Sequence, residues 1–210
     1  MTVTYALLAV TAALAVTDWL AVSHDQRGLE YATKVGVMLG LIAVALVIPA
    51  VSTGQRAFFL VALALGLLSD VFLMLPRDLF LAGLVAALLE HLAYIGGFRA
   101  RDLHVGWLIA GALIALASAA VFLPPIVPAV GKARAALVNP VLAYVTVFVV
   151  MVASAVGTGS PIALAGALLF FYSDAILAWN RFVRPIPAGR VVNLIPYHLG
   201  QALLVLSLAS

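Results

Sequence analysis

Apolar residues recur along this chain in runs far longer than the buried face of a soluble helix. Eight runs stand out, near residues 3–22, 34–51, 57–75, 79–98, 104–123, 135–156, 161–180 and 190–208. Each holds about 20 mostly apolar positions, the length that crosses a bilayer as an α-helix. The breaks between them are short and polar. His24-Asp25-Gln26-Arg27-Gly28, Ser52-Thr53-Gly54-Gln55-Arg56, Pro76-Arg77-Asp78 and Arg99-Ala100-Arg101-Asp102 read as turns. Pro124-Pro125, Pro128 and Gly131-Lys132 are expected to end the fifth run. Gly157-Thr158-Gly159-Ser160 leads into Pro161 at a helix start, where the missing N–H is harmless. Arg184 to Arg190 forms the last loop. The first run lacks a basic leader and exceeds the apolar core of a cleaved signal, so it is expected to remain as a helix. The pattern predicts an all-α polytopic membrane bundle of about eight transmembrane helices, a single integral membrane domain over residues 1–210.

Composition sharpens this reading. Of 210 residues, 66% are hydrophobic and 9% charged, against about 45–50% and 25% in soluble domains. Mean hydropathy is +1.22. These values exclude a water-soluble globular enzyme, a disordered chain and a free nucleic-acid-binding domain, and no nucleic-acid partner follows from a net charge of +3. The absence of cysteine removes disulfides, thiol nucleophiles and thiolate metal sites. Basic residues bear on topology instead. Loops 1, 3, 5 and 7 hold Arg27, Arg77, Lys132, Arg134, Arg181, Arg184 and Arg190, while loops 2, 4 and 6 hold Arg56, Arg99 and Arg101. The excess places the first set in the cytoplasm and both termini outside, as expected for a bacterial inner-membrane protein.

The chain also resembles itself. Gly66-Leu67-Leu68-Ser69-Asp70-Val71-Phe72-Leu73 in the third run matches Phe170-Phe171-Tyr172-Ser173-Asp174-Ala175-Ile176-Leu177 in the seventh. Arg77 follows Asp70 and Arg181 follows Asp174 by seven residues, nearly two helical turns, so each Arg shares a face with its Asp. Each Asp also precedes a histidine on the next run, His91 or His198. The pattern suggests two four-helix halves of parallel topology, 1–100 and 101–210.

A charge near the bilayer centre costs at least ~2.5–3.5 kcal/mol on insertion scales, so such groups face the bundle interior and have partners. Lys34, Asp70, Glu90, His91, Asp174 and His198 are the candidates, with Asp18 placed nearer the interface. Asp70 and Asp174 sit at similar depth on one side and could form an acid/base pair sharing a proton. Alternatively, each Asp pairs with its own Arg or with Lys34 and only holds helices together. His91 and His198 could shuttle protons, join the aspartates on a metal, or satisfy interhelical hydrogen bonds. Glu90 with Tyr94, and Tyr197 with Gln201, are four apart and share a face. Tyr144, Tyr172 and Tyr197 could bond the carboxylates or only satisfy the core. Asn180 and Arg181 end the seventh run at headgroup level, where an arginine suits a phosphate but also snorkels. Ser69 and Ser173 lack the Gly-x-Ser-x-Gly setting of a serine nucleophile.

These segments resemble the YhhN-type lysoplasmalogenase family. The resemblance rests on Leu68 through Leu75, on His91-Leu92-Ala93-Tyr94-Ile95, and on Ser173-Asp174 with Ala178-Trp179-Asn180-Arg181-Phe182. Thr33-Lys34 and Tyr197-His198-Leu199-Gly200-Gln201 fit it as well. It implies a hydrolase that cleaves the vinyl-ether bond of lysoplasmalogens to a fatty aldehyde and glycerophosphoethanolamine or glycerophosphocholine, with Asp70 and Asp174 at the catalytic centre. Vinyl ethers hydrolyse by protonation of the β-carbon, addition of water to the oxocarbenium ion and collapse of the hemiacetal. One Asp would act as acid and the other as base and stabiliser, as paired carboxylates do on glycosides. His91 and Tyr94 would orient them. Lys34, Arg77 or Arg181 would take the headgroup phosphate, with Asn180, Tyr197 and Gln201 completing the substrate site. The expected partners are a lysophospholipid substrate and membrane lipid, and no cofactor or metal is expected. The rival reading is a proton-coupled transporter of lipid or small molecules.

Overall fold

The computed structural model describes residues 2–75, 77 and 79–210. Pro76 and Asp78 of the expected third turn lie outside the described residues. Eight α-helices follow one another: α1 Thr2–Ser23, α2 Arg27–Val47, α3 Thr53–Met74, α4 Phe80–Arg99, α5 Val105–Arg134, α6 Val138–Gly157, α7 Pro161–Ala178 and α8 Gly189–Leu206. The backbone leaves helical geometry at Arg134 (φ −163°, ψ 89°), where a 3-10 turn, Ala135–Leu137, leads into α6, and a π turn, Trp179–Val183, prolongs α7. Among the described residues, seven helical stretches are long and apolar enough to cross a membrane. The longest, Val105–Gly157, is α5 and α6 together.

Local chemistry accounts for several helix ends. Ser52 caps α3 by accepting the Gln55 N–H at 3.2 Å, and Ser160 caps α7 by accepting that of Ala163 at 3.3 Å. Each satisfies one of the N–H groups a helix start leaves over. Pro161 occupies the first turn of α7.

Two boundaries differ from the sequence reading. The prolines at 124, 125 and 128 do not end α5, which runs on to Arg134. Proline's fixed φ is itself helical, and what it removes is one N–H donor. Packing holds the turns beyond, where Ile126 and Val130 are buried with Phe80, Leu137 and Val141. The second helix begins at Arg27 rather than near 34, which brings Glu30 inside it, buried.

The bundle is apolar outside and polar within. Val3, Leu113 and Val121 are more than three-fifths exposed, whereas Asp18, Glu90, His91 and Gln201 are buried. This is the distribution of an integral membrane protein, whose outer surface meets lipid and whose polar groups find partners inside. α1 pairs with α2, α3 with α4, α5 with α6 and α7 with α8. Counted in two sets of four, the fourth helix of each set packs on the second of the other, α4 on α6 and α8 on α2.

Small residues set how closely helices approach. A Cβ on Gly166 would stand 2.9 Å from the Leu204 backbone nitrogen, and one on Gly200 would stand 2.9 Å from that of Phe170. The reciprocal glycines therefore bring the α7 and α8 backbones into contact.

Candidate active site

A cavity of about 320 Å3 opens among helices α2 to α8. Phe122, Phe148, Phe170 and Phe171 make much of its wall apolar. Lys34, Asp70, Glu90, Tyr144, Asp174 and Tyr197 supply the polar groups.

The two aspartates have different company. Asp70, on α3, receives Lys34 Nζ of α2 at 3.1 Å on Oδ1 and the Tyr197 hydroxyl of α8 at 2.7 Å on Oδ2. Asp174, on α7, accepts the Tyr144 hydroxyl of α6 on Oδ2, and His91 Nε2 of α4 stands 3.7 Å from the same oxygen. Asp174 keeps 18% of its side chain exposed, facing the cavity, against 6% for Asp70.

The histidine ring explains the second arrangement. His91 Nδ1 bonds the Ala87 carbonyl, which only accepts, so Nδ1 carries hydrogen. In a neutral ring Nε2 is then a lone pair. It faces Asp174 Oδ2 and, at 3.4 Å, the Tyr144 oxygen. Phe148 and Phe170 box the ring at centroid distances of 4.2 and 4.9 Å.

Sequence spacing paired each aspartate with the histidine of the next helix. The structure pairs them otherwise. His91 follows Asp70 in the chain but meets Asp174. His198 follows Asp174 but faces Asp18, with Nε2 3.9 Å from Oδ2. Asp18, placed near the interface by the sequence, is fully buried and accepts the Thr33 hydroxyl at 2.7 Å. Trp19 Nε1 donates to His198 Nδ1 at 3.0 Å. The reason is geometric: adjacent residues on a helix point about 100° apart, so Thr33 and His198 point to Asp18 while their neighbours Lys34 and Tyr197 point to Asp70.

A second polar layer lies behind the cavity. Tyr94 donates to Gln201 Oε1 at 2.5 Å, and the Gln201 amide donates to Glu90. The two same-face pairs expected from sequence thus join in one network across α4 and α8. Gly66 makes room for it, since a Cβ there would crowd the Glu90 carboxyl. Tyr94 and Gln201 are buried away from the cavity wall, whereas Glu90 reaches it.

The remaining candidates are placed apart. Asn180 borders the cavity, with Oδ1 accepting the Ile186 N–H at 2.8 Å to shape the last loop. Arg181 lies with its guanidinium 4.1 Å over Phe80, off the cavity, and Arg77 is exposed. Tyr172 shares a hydrogen bond with Ser118 rather than a carboxylate. Ser69 donates to the Gly83 carbonyl and Ser173 to that of Asn193, stitching α3 to α4 and α7 to α8. Among the described residues, no three His, Asp or Glu side chains group as metal ligands.

One feature of the rim had no place in the sequence reading. Arg190 holds Glu30 through Nη2 at 2.5 and 2.6 Å, and both border the cavity with Arg27. The usable signal was the spacing of Arg27, Glu30 and Lys34, which puts all three on one helical face.

Comparison with known proteins adds a family to this geometry. A profile of the YhhN family matches residues 29–208. Mouse lysoplasmalogenase TMEM86B is 34% identical over 161 residues, covering 75% of this chain and 67% of that protein. The human protein of the same name is 32% identical over 146 residues, covering 70% and 61%. The pig protein is 32% identical over 148 residues, covering 70% and 62%. The matched stretch therefore spans about two-thirds or less of each of these relatives. No solved structure matches the chain.

Proposed function

The chain belongs to the YhhN family, and from that premise we propose that it hydrolyses the vinyl-ether bond of lysoplasmalogens within the membrane. The relatives' name supports the activity. The observation that carries it to this chain is the pair of buried aspartates on one apolar cavity, each in distinct hydrogen-bonding company.

That company assigns the roles. Asp70 faces the Lys34 cation and receives a hydroxyl, so it is the standing anion. The Asp174 group is short of a hydrogen. Tyr144 has one O–H, yet three acceptors meet there: Asp174 Oδ2, His91 Nε2 and the Tyr144 oxygen itself. A further proton on Asp174 lets that oxygen face the His91 lone pair at 3.7 Å without repulsion. Asp174 meets the cavity and His91 does not, so Asp174 is the acid.

The reaction follows from these roles. Asp174 gives its proton to the β-carbon of the vinyl ether, and the double-bond electrons form that C–H bond, leaving an oxocarbenium ion. The Asp70 carboxylate stabilises the cation and takes a proton from the attacking water as the new C–O bond forms. The hemiacetal O–H then passes its proton to the Asp174 carboxylate as the C=O bond forms, and Asp70 gives its proton to the glycerol oxygen as the C–O bond breaks. The products are a fatty aldehyde and a glycerophospho-alcohol, with Asp174 again protonated and Asp70 again ionised. The apolar wall receives the alkenyl chain and excludes bulk water.

Purified protein in detergent, given 1-alkenyl-glycerophosphoethanolamine, should release aldehyde. Asp70→Asn and Asp174→Asn should each abolish release while eluting as folded protein. Near-full activity in either variant would overturn the paired-acid mechanism. No aldehyde from folded wild type would overturn the hydrolase reading.

A further inference from the structure

The rim of the cavity carries a built set of charges outside the two aspartate clusters. Arg190, at the start of α8, grips Glu30 through Nη2 and reaches Asp25 Oδ1 through Nη1 at 3.4 Å. The Glu30 side chain is 7% exposed, while Arg190 keeps 44% of its side chain open. Arg27 begins α2 beside them, exposed on the same rim. Arg190, Gly189 and Asn180 also border an outer groove with Asp25 and Pro185, so this end of the cavity opens toward the loops.

One face of α2 connects this rim to the aspartates. Glu30 and Lys34 are one turn apart, about 6 Å along the axis, and Lys34 touches Asp70. In a glycerophospholipid five bonds of ~1.5 Å separate the sn-1 ether oxygen from phosphorus, about 6 Å when extended. An ether oxygen seated between Asp70 and Asp174 therefore sets its phosphate at the level of Glu30 and Arg190. Lys34 is committed to Asp70, which leaves the arginines of the rim for the phosphate.

We propose that Arg27, Glu30 and Arg190 form the headgroup site and select a phosphoethanolamine zwitterion. The assignment rests on the lysoplasmalogen reading of the same cavity. A guanidinium matches phosphate with two parallel N–H donors. The Glu30 carboxylate accepts from the ammonium, which donates three hydrogen bonds where a trimethylammonium donates none. Arg190 exchanges part of its contact with Glu30 for phosphate while the incoming ammonium replaces it on Glu30. The rim thus stays charge-balanced with and without ligand.

Saturated ether lipids test this apart from turnover, because they lack the vinyl bond. Isothermal titration of the full chain in detergent would compare 1-O-hexadecyl-lysophosphoethanolamine, its choline analogue and 1-O-hexadecylglycerol. The ethanolamine lipid should bind about tenfold tighter than the glycerol ether and several-fold tighter than the choline lipid. Glu30→Gln with Arg190→Gln keeps an uncharged hydrogen-bonding pair and should erase the preference for ethanolamine over choline, while reducing the preference over the glycerol ether. Arg27→Gln, at an exposed position, should weaken both phospholipids and leave the glycerol ether unchanged. Equal affinity for all three ligands, or an ethanolamine-over-choline preference that survives in the double variant, would overturn the headgroup site. If the preferences hold but no aldehyde is released from the vinyl ether, the hydrolase reading falls instead.

Discussion

His91 Nε2 lies 3.7 Å from Asp174 Oδ2, an acid that follows it by three helices, and not beside Asp70 on the preceding helix. Asp70 likewise takes its hydroxyl from Tyr197, close to the far end of the chain. Each aspartate is served by one residue from the helix before it, Lys34 or Tyr144, and by one from a helix of the other four. Neither half of the chain holds a complete acid site, so the cavity exists only when the two sets of helices are packed together.

The Lys34–Asp70 pair predicts a separation of stability from activity. Removing one partner of a buried ion pair leaves the other charge uncompensated, at a cost of about 3–5 kcal/mol. Asp70→Asn should therefore lower the thermal midpoint in detergent more than Asp174→Asn, whose neighbours are uncharged. Asp70→Asn combined with Lys34→Met should recover much of the midpoint and none of the aldehyde release. Equal midpoints for the two single variants would contradict the pairing.

Tyr144 and Tyr197 each donate their hydroxyl to one aspartate oxygen, of Asp174 and Asp70 respectively. Tyr144→Phe and Tyr197→Phe keep the rings and remove that bond. Both should lower kcat by roughly 10–100-fold, about 1.4 kcal/mol of barrier per factor of ten, with KM for the lipid within a few-fold. A rise in KM at constant kcat would show the hydroxyls binding substrate rather than tuning the acids.

Asp18 is tied to the Asp70 cluster through its neighbours. It ties down Thr33 and faces His198, and the residues beside these, Lys34 and Tyr197, hold Asp70. Asp18→Ala should lower kcat as well as stability, whereas Asp18→Asn, which still accepts from Thr33, should recover most of kcat. Loss of stability with kcat intact in Asp18→Ala would reduce Asp18 to a structural tie.

Gly166 and Gly200 let the α7 and α8 backbones touch. A methyl group on Gly166 meets backbone atoms 2.9 and 3.0 Å away, which cannot move aside as a side chain can. Gly166→Ala should destabilise the protein by about 1–3 kcal/mol, read as a lower unfolding midpoint. It should also lower turnover, because α7 carries Asp174 and α8 carries Tyr197. An unchanged midpoint would show that the helices have slack at this crossing.

The sequence alone determined the class and the chemistry's raw materials. Eight apolar runs of membrane length, a paired Ser-Asp motif and the quoted family segments are local signals, and hydropathy and spacing report them without knowledge of packing. Asp70, Asp174, Lys34 and Tyr197 were recognisable because a polar group in an apolar run is costly wherever it points. Which groups meet was decided by tertiary structure. His91 and His198 follow the two aspartates by 21 and 24 residues, yet α4 packs on α6 and α8 on α1 and α2, and that packing carries each histidine to a different acid. Glu30 and Arg190, 160 residues apart, read as separate loop charges until the start of α2 and the start of α8 are brought together. Asp18 looked interfacial by its position in α1 and is buried because α2 and α8 close over it. Helical periodicity says which residues share a face, whereas the neighbour of that face depends on packing between distant segments, which no local pattern encodes.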